Sequence, residues 1–281
     1  MQDVAIRKQI RFGTHDGHAL TGDYYGPQGP GKYPALVALH GGAWKLGSSD
    51  TYEYWGQVLA EQGYALFSVN YRLVQGAENR YPASVLDARA AVQFLRSNAE
   101  EFQVDPDRLG LMGDSAGAHL SALVALAGSA PPFSDAYRDD PYSEVSTQVK
   151  IVVGVYGVYD LLGQWQHDQI ARPLDQITEG LLGKSPMESK KLYHEASPMT
   201  YTTLDNNGTA FLVVWGTEDD LVDTASQSGE FVTALKQAGC FVRTVIVPGA
   251  PHFWMGDPLD EPASHTAFLA PRLLRFLRER L

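Results

Sequence analysis

Cysteine is almost missing from this chain: Cys240 is the one thiol in 281 residues. No intramolecular disulfide can therefore brace the fold, and no paired-thiol redox chemistry is available. Its place at the start of a strand-like run marks Cys240 as a small core residue. Long apolar runs are missing too. No stretch approaches the roughly 20 residues that a membrane-spanning helix requires, and Met1–Arg11 lacks the apolar centre of a secretory leader. Together these absences make a cytoplasmic protein with no membrane partner the expectation. Positive charge is scarce: 22 Lys and Arg against 33 Asp and Glu leave a formal net charge of −11. That balance speaks against nucleic-acid phosphates and anionic lipid as partners. No G-x-G-x-x-G, H-E-x-x-H or Cys/His ligand spacing occurs. Gly183-Lys184-Ser185 ends like a phosphate loop, but Thr178 stands where that loop needs its first glycine. The expectation is no cofactor and no metal.

What is present is an ordinary globular composition, without repeats or low-complexity tracts, in a chain long enough to bury roughly 75% of its unfolded surface. The segments Val4–Phe12 and Ala19–Tyr25 read as a hairpin around Thr14-His15-Asp16-Gly17, with His15 and His18 as polar residues flanking the turn. Tyr33–His40, Tyr64–Tyr71, Leu109–Met112, Val149–Tyr156, Ala210–Trp215 and Phe241–Val247 are short, nearly continuous apolar runs, as in strands covered on both faces. Between them Tyr52–Gln62, Pro82–Phe102, Thr224–Gln237 and Ala263–Leu281 read as helices, with Asp105–Arg108 as a turn. Alternation of this kind implies one α/β domain over 1–281, a mostly parallel sheet flanked by helices. Two stretches break the alternation. Gly128–Ser146 reads as a loop, and Asp160–Tyr201, with helical pieces at Leu174–Leu182 and Met187–His194, reads as a cap-like insertion.

The chemistry-bearing residues follow the strands. Gly113-Asp114-Ser115-Ala116-Gly117 lies between the Leu109–Met112 strand and an Ala/Leu-rich helix. Strand, G-x-S-x-G, helix is the pattern of a nucleophile elbow, where a serine stands on a tight, strained turn flanked by glycines. A serine hydroxyl is a weak nucleophile; it needs a base, a carboxylate to orient that base, and donors for the oxyanion. His252, in Pro248-Gly-Ala-Pro-His-Phe-Trp254, follows the last strand and is the candidate base. His119, one helical turn beyond Ser115, reads as packing beneath the elbow; His167, His194 and His265 lie in the insertion and the last helix. The acid comes from the loop after Trp215, where Glu218, Asp219 and Asp220 are adjacent. His40-Gly41-Gly42-Ala43-Trp44 follows the first buried strand, so the N–H groups of Gly42, Ala43 and Ala116 form the candidate oxyanion hole, with His40 as an anchor for the loop. Asp114 reads as a supporting hydrogen-bond partner, and Arg72 with Asp87 as a buried scaffold pair.

HGGAW, the Tyr71–Asp87 stretch (YRL…YPA…D), GDSAG, the Leu192–Tyr201 segment and the PHF histidine together resemble the α/β-hydrolase esterases. The resemblance is strongest to the bacterial feruloyl and acetylxylan esterase group, with parts shared by hormone-sensitive-lipase-like esterases and kynurenine formamidases. It spans about Leu20 to Phe276. It implies an α/β-hydrolase fold and a Ser115–Asp219–His252 triad, since Gly216-x-x-Asp219-x-x-Val222 is similar to that group's acid loop. Asp220 is the second choice and Glu218 the third, because one aspartate is usual where this chain has two. The activity implied is hydrolysis of a small-molecule ester with a short acyl or aromatic group, through an acyl-enzyme on Ser115. Trp44, Trp165, Phe253 and Trp254 are the candidate aromatic wall of the pocket. The alternatives are a formamidase acting on N-formylkynurenine, and a non-catalytic hydrolase-fold binding protein, although such proteins usually lose a triad member. Ser115 at the elbow excludes dehalogenase chemistry, which wants a carboxylate there. Neither the natural substrate nor the oligomeric state is implied.

Overall fold

In the computed structural model, which describes residues 3–281, the chain forms an eight-stranded sheet ordered β1-β2-β4-β3-β5-β6-β7-β8. The strands are β1 (Val4–His15), β2 (His18–Pro27), β3 (Tyr33–Leu39), β4 (Ala65–Asn70), β5 (Val104–Asp114), β6 (Ile151–Val155), β7 (Ala210–Gly216) and β8 (Val242–Val247). β1 pairs with β2, and β2 with β4, antiparallel; every pairing from β4 to β8 is parallel. The opening hairpin closes on Asp16 and Gly17, both at positive φ, the backbone that a two-residue connection demands.

Helices cover both faces, as parallel strands require. One apolar cluster joins α1 (Glu53–Glu61), through Trp55 and Leu59, to α8 (His265–Arg280), through Leu269, Leu273 and Phe276. The other holds α2 (Ala83–Ser97), α3 (Ala116–Ala127) and α7 (Glu230–Gln237), through Val85, Leu120 and Phe231. Between β6 and β7 the chain makes an excursion that adds no strand. It carries α4 (Leu161–Ala171), α5 (Ile177–Leu182) and α6 (Lys190–Glu195).

Several boundaries differ from the sequence reading, each for a local reason. Asp105–Arg108 turns, but inside β5: the pairing passes from Tyr33–Val104 to Ala35–Leu109, so the segment bulges opposite Pro34. α2 stops at Ser97, where the Asn98 side chain donates to the Phe94 carbonyl at 2.8 Å. The helix expected from Thr224 begins with one wide turn over Ala225–Gly229 before α7. In the excursion the helical pieces shrink to α5 and α6, and α4 precedes them as a third helix.

His15 is the larger correction. It is not a polar turn residue: it is 1% exposed, with Nδ1 2.6 Å from Asp87 and Nε2 2.8 Å from Asp140. Its ring stacks on Tyr137 at 3.8 Å. The Arg72–Asp87 pair forms beside it, with Arg72 Nε and Nη2 each 2.9 Å from an Asp87 oxygen. The Gly128–Ser146 loop is thereby tied to the hairpin and to α2. Cys240 is buried.

Candidate active site

The carboxyl ends of the parallel strands converge on Ser115, between β5 and α3. Its φ of 50° and ψ of −116° are strained for a residue with a side chain. The flanking glycines make the turn feasible. A Cβ on Gly113 would enter the Gly117 carbonyl, and one on Gly117 would enter the Leu39 carbonyl. The elbow is closed on itself and against β3.

His252, in the loop after β8, brings Nε2 to 2.9 Å from Ser115 Oγ. Its Nδ1 lies 2.7 Å from Asp219 Oδ2. The serine hydroxyl can donate to Nε2 while the Nδ1–H donates to Asp219, the tautomer that a general base requires. The remaining Asp219 oxygen, Oδ1, accepts the N–H groups of Leu221 and Val222 at 3.1 and 3.0 Å. Glu218 and Asp220 are exposed and make no hydrogen bond to His252. Of the three acidic residues, the structure brings Asp219 to the imidazole.

The loop after β3 carries the candidate donors. Gly42, Ala43 and Trp44 have φ of 113°, 50° and 59° in succession, a left-handed run that turns the main chain toward the elbow. The Gly42 carbonyl accepts Lys45 and Leu46 N–H at 3.0 and 2.9 Å, and Trp44 O accepts Val74 N–H at 2.9 Å. The N–H groups of Gly42 and Ala43 make no hydrogen bond among the described residues. Ala116 is the first residue of α3, so its N–H has no carbonyl within the helix to bond.

Asp114 is 4% exposed and joins these pieces. Its Oδ1 accepts Gly41 N–H at 3.0 Å and the Tyr52 hydroxyl at 2.9 Å; its Oδ2 accepts the Tyr156 hydroxyl at 3.3 Å. Burial raises its carboxyl above the usual range, opposed by these donors and by the nearby His252. The Tyr156 hydroxyl also accepts Met255 N–H at 3.2 Å, and its ring lies 4.5 Å from the His252 ring. Neither tyrosine was singled out in the sequence. Tyr52 sits at the entrance to α1 and Tyr156 just past β6, where a buried aromatic looks like any core residue.

His40 and His119 behave as support. His40 stacks on Tyr71 at 4.3 Å, and its Nδ1 meets the Gly41 carbonyl at 2.7 Å. Burial pushes its imidazole down to about 4. His119 lies beneath the elbow, likewise pushed down to about 4 by burial. It accepts Trp44 Nε1–H at 3.1 Å and meets the Ala196 carbonyl at 2.8 Å.

Two of the four rings expected to form an aromatic wall lie in the core instead. Trp44 is fully buried, and Trp254, 1% exposed, packs edge-on against Tyr156 at 5.4 Å. Both belong to the core and offer no surface to a substrate. Their rings are consumed in holding the two loops. Trp165 is half-buried and donates to Glu179 at 2.6 Å, whereas Phe253, 64% exposed, stands edge-on to His252 at 4.4 Å. Among the described residues, no group of His, Cys, Asp and Glu is placed to hold a metal, and no helix is long and apolar enough to cross a membrane.

A family profile named BD-FAE matches residues 23–235. The chain belongs to the BD-FAE family. That match covers the elbow, the Gly41–Trp44 loop and the Asp219 loop. Among curated proteins, the probable carboxylic ester hydrolase LipM of Mycobacterium tuberculosis is 31% identical over 214 residues, covering 74% of this chain and 46% of LipM. The chain spans about half the length of the curated relatives it matches. Two solved structures share the α/β-hydrolase fold of this BD-FAE member. Thermogutta terrifontis esterase 2, phosphonylated by cyclosarin, superposes with a TM-score of 0.74 at 22% identity, over 99% of this chain and 94% of that one. The acetyl ester-xyloside bifunctional hydrolase from Caldicellulosiruptor lactoaceticus does so with a TM-score of 0.79 at 21% identity, over 96% and 95%.

Proposed function

We propose that this chain is a carboxylic ester hydrolase in which Ser115, His252 and Asp219 form the catalytic triad. One observation carries the reading: Ser115 Oγ, His252 and Asp219 Oδ2 are linked by contacts of 2.9 and 2.7 Å in the order that proton transfer needs. Ser115 attacks the ester carbonyl as His252 takes its proton. The oxyanion is held by the N–H groups of Gly42, Ala43 and Ala116, each supplying roughly 3–4 kcal/mol to the transition state. His252 then protonates the departing alcohol, and water hydrolyses the acyl-enzyme through the same groups. The substrate is a small-molecule ester with a short acyl group, met at the mouth by Phe253, whose exposed ring stands beside His252. The excursion between β6 and β7 acts as a cap on one domain spanning the chain. The acetyl ester named for the Caldicellulosiruptor relative and the ester hydrolase named for LipM support this class. No observation favours the formamidase alternative.

The test is hydrolysis of a p-nitrophenyl ester series by the wild type and by Ser115→Ala. Acetate and butyrate should be cleaved well and decanoate poorly, and Ser115→Ala should lower kcat by roughly 10⁶. Undiminished turnover in the alanine variant rejects the triad assignment, and a preference for decanoate rejects the short-acyl class.

A further inference from the structure

Asp219 is held by the peptide that follows it, and that peptide is held from the excursion. The Leu221–Val222 peptide is a rigid plane with its oxygen and its N–H on opposite sides. The N–H side, from Val222, donates to Asp219 Oδ1 at 3.0 Å. The oxygen side, on Leu221, accepts Gln164 Nε2–H at 3.0 Å. Gln164 lies on α4 and is fully buried. Its amide cannot turn over without loss, because Nε2 also donates to Asp168 Oδ1 at 2.8 Å. With two acceptors facing it, this position demands the NH2 group. Asp168, also fully buried, is fixed in turn by Arg172 Nη2 at 2.7 Å. A second buried glutamine repeats the stitch from the other side. Gln227, beyond the acid loop, accepts the Tyr159 and Asp160 N–H groups at 2.7 and 2.9 Å and donates to the Asp160 carbonyl at 2.9 Å.

We propose that Gln164 is a positioning residue for the triad acid: by holding the Leu221 carbonyl it fixes the Val222 N–H that orients Asp219 toward His252. The proposal rests on the triad reading above. A carboxylate that is ionised but free to rotate would still attract the imidazolium, yet would no longer hold Nδ1–H in line. Orientation of the base, and thus kcat, would suffer before binding does.

Two variants test it. Gln164→Met fills the volume without a donor, and Gln164→Glu keeps the shape but, ionised, presents acceptors to Asp168 and Leu221. Each is compared with the wild type in kcat and KM on p-nitrophenyl acetate, normalised by titration of reactive serine with a phosphonate. The downfield proton resonance of the His252 Nδ1–H is followed in parallel. The groups facing His252 are Asp219, Asp114, Ser115 and Tyr156; Gln164 contacts Asp168 and Leu221 instead, so a shift of the resonance in the uncharged Gln164→Met reports on Asp219. We expect kcat to fall about tenfold with KM within about twofold, and the resonance to move upfield as the Nδ1–H leaves the line of its acceptor. Wild-type kcat per titrated site with an unmoved resonance, in whichever variant folds, overturns the proposal even if the melting temperature drops. The resonance is read without substrate. If no ester is cleaved by the wild type, the functional proposal fails while the positioning role is still decided.

Discussion

Asp114 shows how much of this site rests on residues that touch no substrate. It stands beside the elbow serine, yet its carboxylate is spent on Gly41 N–H, Tyr52 and Tyr156. It thereby joins the Gly41 loop, the entrance to α1 and, through Tyr156, the loop after β8 at one point. Truncating it strands three buried donors, and losing one partner of a buried charged network costs about 3–5 kcal/mol. Asp114→Ala should lower stability by that amount in urea unfolding, and kcat should fall as Gly42 and Ala43 lose their anchor. A stability change below about 1 kcal/mol would show that the tyrosines and Gly41 find other partners. Asp114 was legible as a supporting residue because its neighbours in sequence announced the elbow. Tyr52 and Tyr156 were not, since nothing in their local sequence separates a hydroxyl that finds a carboxylate from one that does not.

Among the elements, those with regular apolar patterns were readable and α4 was not. Its buried positions are Leu161, Gln164 and Asp168. Their spacing is helical, but two of the three are polar, so hydrophobic periodicity had nothing to follow. Its two buried polar side chains are tied to Leu221 O and Arg172, while Gln164 Oε1 and Asp168 Oδ2 make no hydrogen bond among the described residues. The strands and α2 show the opposite case. Phe67 on β4 is fully buried between Phe12, Phe94 and Phe102, at ring separations of 5.7, 5.9 and 6.3 Å. It ties the antiparallel edge to the parallel part of the sheet. Phe67→Ala should cost about 3–5 kcal/mol by chemical denaturation. A cost near 1 kcal/mol would mean that the cluster collapses into the space.

Across the whole molecule, the His15 cluster links parts far apart in sequence: the hairpin, α2 and the loop that carries Tyr137 and Asp140. Burial works to lower the His15 imidazole, but its hydrogen bonds to Asp87 and Asp140 outweigh that and leave it raised. Asp16, Arg72 and Tyr137 complete the charged and titratable surroundings. A group raised on folding contributes stability that is fully present below its unfolded value of about 6.5 and is lost as pH rises through the folded value. The difference in melting temperature between wild type and His15→Gln should therefore be largest below about pH 6.5 and shrink at alkaline pH. A difference that grows with pH would mean that the imidazole is neutral in the fold.

By itself the sequence determined the strand–helix alternation, the elbow and the order of serine, acid and histidine, because each of these is written in a local pattern. Steric demand at Gly113 and Gly117, and apolar runs in β3 to β6, need no knowledge of distant contacts. Tertiary structure alone decided which of three adjacent acids meets His252, that Trp44 and Trp254 serve the core, and that His15 is buried. Each of those outcomes depends on a partner 33 to 125 residues away. A side chain's role is set by what the folded chain places against it, and that information is not local.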